Sequence, residues 1–148
     1  MVQQQLFDLV SGLAPVRQSL SETPQLLSSP FHTVNDLEKF ESELTPEQEK
    51  QAVRELTSLG GSSVRSAVRR ILSHTFRNAL AQQYSWEGRK GKLKFVELKF
   101  SRVIMRALQV QEKFSKASKY EVEAEIKEWL RHASERCKRA HLSEPASV

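Results

Sequence analysis

Apolar residues recur every three or four positions between residues 33 and 137, in segments most of which begin at a capping residue. This spacing matches the 3.6-residue period of an α-helix that buries one face. The chain has 148 residues, of which 39% are hydrophobic, and this is enough for one modest core. We therefore expect an all-α fold, a compact bundle of about five helices.

Caps and helix-breaking residues divide this pattern into five predicted helices. Thr33 or Asn35 caps the first helix, and Thr45 caps the second, with proline at the following position. The pair Gly60-Gly61 ends the second helix, because glycine readily adopts the left-handed conformation that closes a helix. The other three helices are expected at about 64–83, 96–113 and 118–137. Ser62 or Ser63 can cap the first of these three, and Ser118 caps the last in a capping box with Glu121.

Composition at the two ends sets the predicted domain boundaries. Residues 1–30 are rich in Gln, Ser and Pro, which favours a flexible N-terminal arm. The helical domain is expected over residues 31–139, and residues 140–148 form a predicted C-terminal tail. No apolar run approaches the roughly 18 residues that a membrane span requires, so no membrane partner is predicted.

One segment competes with the helical interpretation. In "LKFVELKF", residues 93–100, apolar side chains partly alternate as they would along a strand. The strand of an RNA-recognition fold would need a basic residue, a glycine and an aromatic residue where Gly91, Lys92 and Leu93 stand. All three positions fail, so we reject that fold.

Positive charge is concentrated in the middle of the chain. Residues 1–63 carry 4 basic and 9 acidic side chains, whereas residues 64–114 carry 12 and 3. The remaining residues are nearly balanced, with 7 basic and 6 acidic side chains. Such asymmetry is typical of a surface that meets an anionic partner, most often nucleic acid. The acidic segment of the same chain is the alternative partner for these cations.

The segment "YSWEGRKGKLKF", residues 84–95, combines aromatic, basic and glycine residues in a predicted loop. One interpretation is a loop that follows phosphates, with glycines that let the backbone approach a ligand and Trp86 or Tyr84 free to stack. The other interpretation makes the aromatic residues core anchors and the lysines solvated. The two interpretations are compatible, and we favour a structural role for Trp86.

The predicted nucleic-acid-binding residues lie on two helices and the loop between them, and all carry the same sign. They are Arg65, Arg69, Arg70 and Arg77 on the third helix, Arg89, Lys90, Lys92 and Lys94 in the loop, and Lys99, Arg102 and Arg106 on the fourth helix. A solvated surface usually mixes signs, so this uniformity favours a binding face.

A longer pattern resembles a domain-of-unknown-function family found near the C-termini of many animal proteins. The resemblance rests on a glycine pair, a helix with Arg-x-Ile-Leu, and a Trp-x-Gly-x-x-Gly-Lys loop followed by Phe. The matching positions are Gly60, Gly61, Arg70, Ile71, Leu72, Trp86, Gly88, Gly91, Lys92 and Phe95. It covers roughly residues 31–139, and the family implies no activity. The order of helices is also loosely similar to the BEN domain, a helical DNA-binding and association module, which favours DNA.

Catalysis and cofactors find little support in the sequence. "GRKGKL" lacks the first glycine and the final Ser or Thr of a phosphate-binding P-loop. Cys137 and His141 stand without the further ligands of a closed metal site and without a catalytic third group. We predict no enzyme activity, no metal and no cofactor. A single cysteine is compatible with a reducing compartment, so a nuclear or cytoplasmic location is expected.

The sequence therefore favours binding of nucleic acid, with duplex DNA preferred, through phosphate contacts. The alternative is a protein-interaction or self-association module. In that alternative, the acidic segment 36–55 of one copy meets the basic surface of another.

Overall fold

Helices account for most of residues 25–143, the part of the chain that a computed structural model describes. Within that part there are seven α-helices: α1 (Val34–Glu43), α2 (Pro46–Thr57), α3 (Val64–Thr75), α4 (Asn78–Ala81), α5 (Lys99–Gln109), α6 (Lys119–Arg131) and α7 (Ala133–Ser143). The all-α prediction is confirmed, with two more helices than the five expected.

Four of these helices begin at the caps that the sequence predicts. The hydroxyls of Thr33, Thr45, Ser63 and Ser118 each accept a hydrogen bond from the backbone amide three residues later. At α2 the cap is reciprocal, because the Gln48 side chain accepts from the Thr45 amide at 3.0 Å. Each cap satisfies amides that the helix itself leaves without partners.

The predicted helix over residues 64–83 is interrupted after Thr75. The chain preceding α1 runs beside this point, where the Phe31 amide donates to the Thr75 carbonyl at 2.8 Å and the Arg77 amide donates to the Phe31 carbonyl at 3.1 Å. Phe76 is consequently extended and pairs with Phe31 as an isolated bridge. This tertiary pairing overrides the local helical pattern, and α4 starts a new direction after it.

A second break separates α6 from α7 at His132. Local pattern predicts one helix to residue 137, whereas the structure has two, of which α7 continues to Ser143. Part of the predicted tail over residues 140–148 is therefore helical.

Two very short strands hold the loop between α4 and α5. The strands β1 (Tyr84–Ser85) and β2 (Leu93–Lys94) pair in parallel, with Tyr84 opposite Leu93 and Ser85 opposite Lys94. Only two residues of the segment "LKFVELKF" belong to a strand, because a 3-10 turn follows over Phe95–Glu97 and α5 begins at Lys99.

The core is built where α3 packs against α5 and α6, while α2 packs on α5 and α4 on α7. A cluster of five phenylalanines joins the helices to the loop: Phe31, Phe40, Phe76, Phe95 and Phe100, with neighbouring ring centroids 5.1–6.1 Å apart. Edge-on and tilted geometries of this kind are favoured between aromatic rings. The loop is thereby fastened to the helical core at Phe95.

The packed domain begins before residue 31. The backbone amides of Leu26 and Leu27 both donate to the Glu55 carboxylate at 2.9 Å, and the Leu27 carbonyl lies 2.8 Å from His74 Nε2. The Leu27 side chain is only 2% exposed. Composition assigns residues 25–30 to the flexible arm. In the structure, the buried Leu27 side chain and the hydrogen-bonded amides of Leu26 and Leu27 hold this segment against α2 and α3. The rest of that prediction lies outside the described residues.

The turn between α2 and α3 depends on glycine. Gly61 has a φ of +143°, and a Cβ added there would lie 2.7 Å from the Ala67 backbone. Such a contact is too short for any side chain. Gly60, with a φ of +73°, faces open space. The predicted structural role of this pair therefore has two different causes, a close approach at Gly61 and a left-handed backbone at Gly60.

None of the helices in residues 25–143 is both long enough and apolar enough to cross a membrane.

Candidate nucleic-acid interface

The basic edge of α5 is paired with carboxylates of the same chain. Arg102 contacts Glu49 twice, from Nε to Oε1 at 3.1 Å and from Nη2 to Oε2 at 2.7 Å. Arg106 Nη1 lies 3.6 Å from Glu49 Oε1. The hydrogen bond from Arg102 holds the pKa of Glu49 below its ordinary value, outweighing the opposite effect of burial. These two predicted DNA contacts therefore share one carboxylate of the acidic segment.

Lys99 is bound to the same acidic segment through α1. Its backbone amide and that of Phe100 donate to the Glu41 carboxylate at 2.6 and 3.0 Å. Its Nζ donates to the Leu44 carbonyl at 3.3 Å. Glu41 caps the start of α5, where Leu98 supplies no side-chain cap. Burial raises the pKa of Glu41 even so, because desolvation outweighs the two amide hydrogen bonds.

The four predicted arginines of the third helix are all exposed but face different surroundings. Arg70 Nη1 donates to the Leu59 carbonyl at 3.1 Å, and Arg65 Nε lies 4.0 Å from Glu125. Arg77 follows the end of α3 and precedes α4. Arg69 alone of the four lines a cleft shared with α7. The four residues therefore do not act as one cluster.

The loop between β1 and β2 turns through three left-handed residues. Gly88, Lys90 and Gly91 have φ of +79°, +58° and +75°. A Cβ at Gly88 would lie 2.6 Å from Lys94 Cγ, so glycine is required by both backbone and space. The Arg89 amide donates to Ser85 Oγ at 2.8 Å and stabilises the turn. The result is a tight projection with Arg89 and Lys90 exposed at its tip.

The aromatic residues of the loop belong mainly to the core. Tyr84 is 3% exposed and Phe95 1% exposed, while the half-buried Trp86 stacks on Phe95 with centroids 6.2 Å apart. Burial, followed by the charges of Glu38 and Glu41, raises the pKa of Tyr84 to about 12. Of the two interpretations of this loop, the core-anchor role applies to Tyr84 and Phe95.

The loop forms one wall of a groove whose opposite wall is α6 and the start of α7. We call it the loop groove; it has a volume of about 570 Å³. Its lining residues are Tyr84, Ser85, Trp86, Glu87, Arg89, Lys90 and Lys92 on one side and Lys127, Leu130, Arg131 and Ser134 on the other. Five of these are cations and one is a carboxylate. Lys94 is absent from the lining and lies 3.6 Å from Glu97.

Residues on the other side of the α6–α7 junction line a second cleft of about 530 Å³, which we call the arginine cleft. It is lined by Arg69 and Ser73 from α3, Trp129 from α6, and His132, Glu135, Arg136 and Arg139 at the junction and on α7. Arg136 is fixed there by hydrogen bonds from Nε to Asn78 Oδ1 at 2.9 Å and from Nη1 to the Trp129 carbonyl at 2.8 Å.

A small ionic network occupies the junction itself. His132 lies between two carboxylates, with Nε2 2.8 Å from Glu128 and Nδ1 3.0 Å from Glu135. Hydrogen bonding to Glu135 and then to Glu128 raises the pKa of His132, although the neighbouring Arg131 opposes the shift. Arg131 itself donates to Glu128 at 2.7 Å. The α6–α7 break is thus held by side chains within one turn on each side.

Sequence reasoning missed the cations of the last two helices. Lys127, Arg131, Arg136 and Arg139 line the two surfaces, yet the carboxylates of "EVEAEIKE" suggest a solvated face. The available signal was the basic run "RHASERCKR", which directly follows that segment. Cys137, considered above as a metal ligand, lies 3.7 Å from Gln82 Nε2. No group of three potential metal ligands occurs among the side chains described.

Comparison with known proteins identifies one family. The profile described as "Domain of unknown function (DUF4806)" matches residues 23–109. Neither a curated protein nor a solved structure matches the chain. The match starts eight residues before the expected domain boundary at 31, in agreement with the packing of Leu27, and it ends with α5. It therefore includes the loop wall of the groove but leaves out α6 and α7. Since the profile covers more than half of the chain, the protein belongs to the DUF4806 family of domains of unknown function.

Proposed function

We propose that this domain binds nucleic acid, with duplex DNA preferred, through phosphate contacts in the loop groove and beside it. The observation that carries the proposal is the lining of that groove. Arg89, Lys90 and Lys92 of the loop face Lys127 and Arg131 of α6 across it, with Glu87 as the one lining carboxylate. Cations on two opposing walls suit a polyanion that passes between them.

Neutralisation within the chain distinguishes the three lysines of this groove from the cations of the α5 edge, whereas the groove residues Arg89 and Arg131 are paired with Glu87 and Glu128. Among residues 25–143, no carboxylate lies within 4.0 Å of the ammonium groups of Lys90, Lys92 or Lys127. Arg102 and Arg106 share Glu49 instead. A cation without a carboxylate partner can bind a phosphate and release its counterions at little cost in free energy. A cation in an ion pair must first break its contact with the carboxylate. The proposed phosphate contacts therefore do not include Lys99, Arg102 and Arg106.

The burial of the loop aromatics favours a duplex over a single strand. Single-strand binders stack unpaired bases on exposed aromatic rings. Here Tyr84 and Phe95 are buried, and one face of Trp86 is stacked on Phe95. Phosphate contacts need no such platform and carry little sequence information. The loose BEN-domain similarity, which rests on helix order and basic charge, favours the same ligand, and DNA binding implies a nuclear location.

Self-association through opposite charges is the second candidate from the sequence. It requires the acidic segment 36–55 to be available to another copy. Glu41, Glu49 and Glu55 of that segment already accept hydrogen bonds within the chain. The contact between copies would have to rely on the exposed carboxylates that remain, which weakens this candidate.

Fluorescence anisotropy with a random-sequence duplex tests the proposal. The groove variant changes Lys90, Lys92 and Lys127 to glutamate, and the control variant makes the same change at the exposed residues Lys39, Lys50 and Lys116. Both triple variants alter net charge equally, so a general charge effect is matched. We expect the groove variant to bind at least about tenfold more weakly than the control. Equal affinities of the two variants would overturn the proposal, and a dimer without DNA binding in sedimentation would favour self-association.

A further inference from the structure

The arginine cleft contains a guanidinium that is fixed in position with one donor group unused. Arg136 donates through Nε and Nη1 to Asn78 and Trp129, and its guanidinium carbon lies 4.0 Å from the centre of the Trp129 ring. Its Nη2 is buried and has no hydrogen-bond partner within the part of the chain described. Buried donors are nearly always satisfied, so an unused one at a cleft indicates a place for an acceptor.

Two further guanidiniums lie beside it. Arg69 from α3 and Arg139 from α7 line the same cleft, and both are exposed. Burial, and then the charges of these two arginines, lower the pKa of Arg136. Three like charges held together are unfavourable unless an anion joins them.

The cleft offers little negative charge of its own. Its one lining carboxylate, Glu135, is hydrogen bonded to His132 Nδ1 at 3.0 Å. Neither Arg69 nor Arg139 has a carboxylate within 4.0 Å among the described residues. Ser73 adds an uncharged hydroxyl next to Arg69 on the same wall. The cleft therefore keeps a positive excess that a compact dianion would neutralise.

We propose that the arginine cleft binds the phosphate group of a monoester or free phosphate, with Arg69, Arg136 and Arg139 as its ligands. A phosphate monoester presents three terminal oxygens and up to two charges, and guanidinium groups bind such oxygens in pairs. A phosphodiester of the nucleic-acid backbone carries one charge and two free oxygens, so it can form fewer hydrogen bonds and ion pairs with the three arginines. The proposal goes beyond duplex binding in the loop groove and does not depend on it.

Trp129 provides a direct probe, because Arg136 stacks on its ring. The chain has two tryptophans, so the Trp86→Phe variant leaves Trp129 as the sole tryptophan. Inorganic phosphate is titrated into this protein at constant ionic strength, with chloride as the comparison salt. We expect a saturable change in fluorescence with phosphate, at a Kd below about 1 mM, and none with chloride.

Variants at the two exposed arginines keep the test independent of folding. Arg69→Ala and Arg139→Ala are each expected to weaken phosphate binding at least about tenfold, which corresponds to roughly 1.4 kcal/mol. Arg65→Ala is the matched control on α3, since Arg65 lies beside Glu125 and not in the cleft. Absence of saturation, or equal Kd values for the cleft variants and the control, would overturn the inference.

A duplex with a 5′-phosphate or a 5′-hydroxyl identifies the source of the phosphate. Tighter binding of the phosphorylated duplex, lost in Arg69→Ala and Arg139→Ala, would support a strand end as the ligand. Equal binding of both duplexes with saturable binding of inorganic phosphate would support a small phosphate compound. A chain that binds duplex DNA but not inorganic phosphate would contradict this inference and leave the proposed function standing.

Discussion

Arg102 on α5 donates two hydrogen bonds to Glu49 on α2, of 3.1 and 2.7 Å, although the residues lie 53 positions apart in the chain. Glu49 is only 7% exposed, whereas the Arg102 side chain is 57% exposed. The pair therefore joins two core helices from their solvent edge. It also pairs one of the cations that sequence alone would assign to DNA with a carboxylate of the same chain.

Replacement of Arg102 tests whether this residue stabilises the fold and does not bind DNA. Arg102→Ala leaves the Glu49 carboxylate buried without its main partner, and we expect a loss of about 1–2 kcal/mol in the free energy of unfolding, between the effects of exposed and buried pairs. Urea denaturation measures the loss. Arg106→Ala is the control with a smaller effect, because its contact with Glu49 is 3.6 Å. A large loss of DNA affinity in a folded Arg102→Ala protein would contradict the assignment.

Glu41 is expected to stabilise α5 as a cap supplied by another helix. Glu41→Ala removes the acceptor of the Lys99 and Phe100 amides and should cost about 1 kcal/mol, as the loss of a helix cap does. Glu41→Gln keeps one acceptor oxygen and removes the cost of burying a charge, so its loss should be smaller. Urea denaturation of the three proteins at neutral pH compares them. Equal losses for alanine and glutamine would mean that the charge, and not the acceptor, stabilises α5.

The start of the folded domain is open to a simple test. A chain that begins at residue 25 keeps Leu27, whereas one that begins at residue 31 loses it. We expect the shorter chain, like Leu27→Ala, to be less stable by about 2–4 kcal/mol, the usual result of deleting a buried leucine side chain. Leu26→Ala should cost less, because Leu26 is half-buried. Identical denaturation midpoints for the two chains would show that residues 25–30 contribute no packing.

The junction network should depend on pH in a bounded window. His132 has a raised pKa, so its contribution is full below its ordinary value of 6.5 and is lost as pH rises through the folded-state pKa. Glu128 and Glu135 have lowered pKa values, so their contributions are present above 4.5 and are lost as pH falls through their folded-state values. The α6–α7 junction is therefore expected to be most stable between those limits.

A histidine titration by NMR measures this effect directly. Glu135→Gln and Glu128→Gln should each lower the pKa of His132, because both carboxylates hydrogen bond to its ring. A pKa of His132 that is insensitive to both substitutions would rule out the network as its cause.

Local signals in the sequence determine much of this fold. Thr33, Thr45, Ser63 and Ser118 cap helices where the pattern predicts them, because a cap depends on residues within one turn. The break at Phe76 depends on Phe31, which is 45 residues away, so no local period predicts it. The sequence does not predict the burial of Leu27 for the same reason, since Glu55 and His74, the hydrogen-bond partners of its backbone, lie on helices that are distant in the chain.

The candidate site is less predictable than the fold. Glycine and charge spacing correctly indicate a tight basic loop, since left-handed residues and like charges are readable locally. The opposite wall cannot be read in this way, because Lys127 and Arg131 reach the loop only when α6 packs on β1. The pairing of Arg102 with Glu49 likewise depends on how α2 meets α5.

The salt dependence of duplex binding tests the central claim most directly. Each phosphate that the protein neutralises contributes a slope of about −0.9 to the logarithm of the association constant against the logarithm of salt concentration. Of the five cations that line the loop groove, Lys90, Lys92 and Lys127 are unpaired among the described residues, so we predict a slope of about −3 for a random-sequence duplex. The Lys90→Gln, Lys127→Gln double variant should reduce that slope by about 2. A slope near zero, or no binding at low salt, would contradict the account.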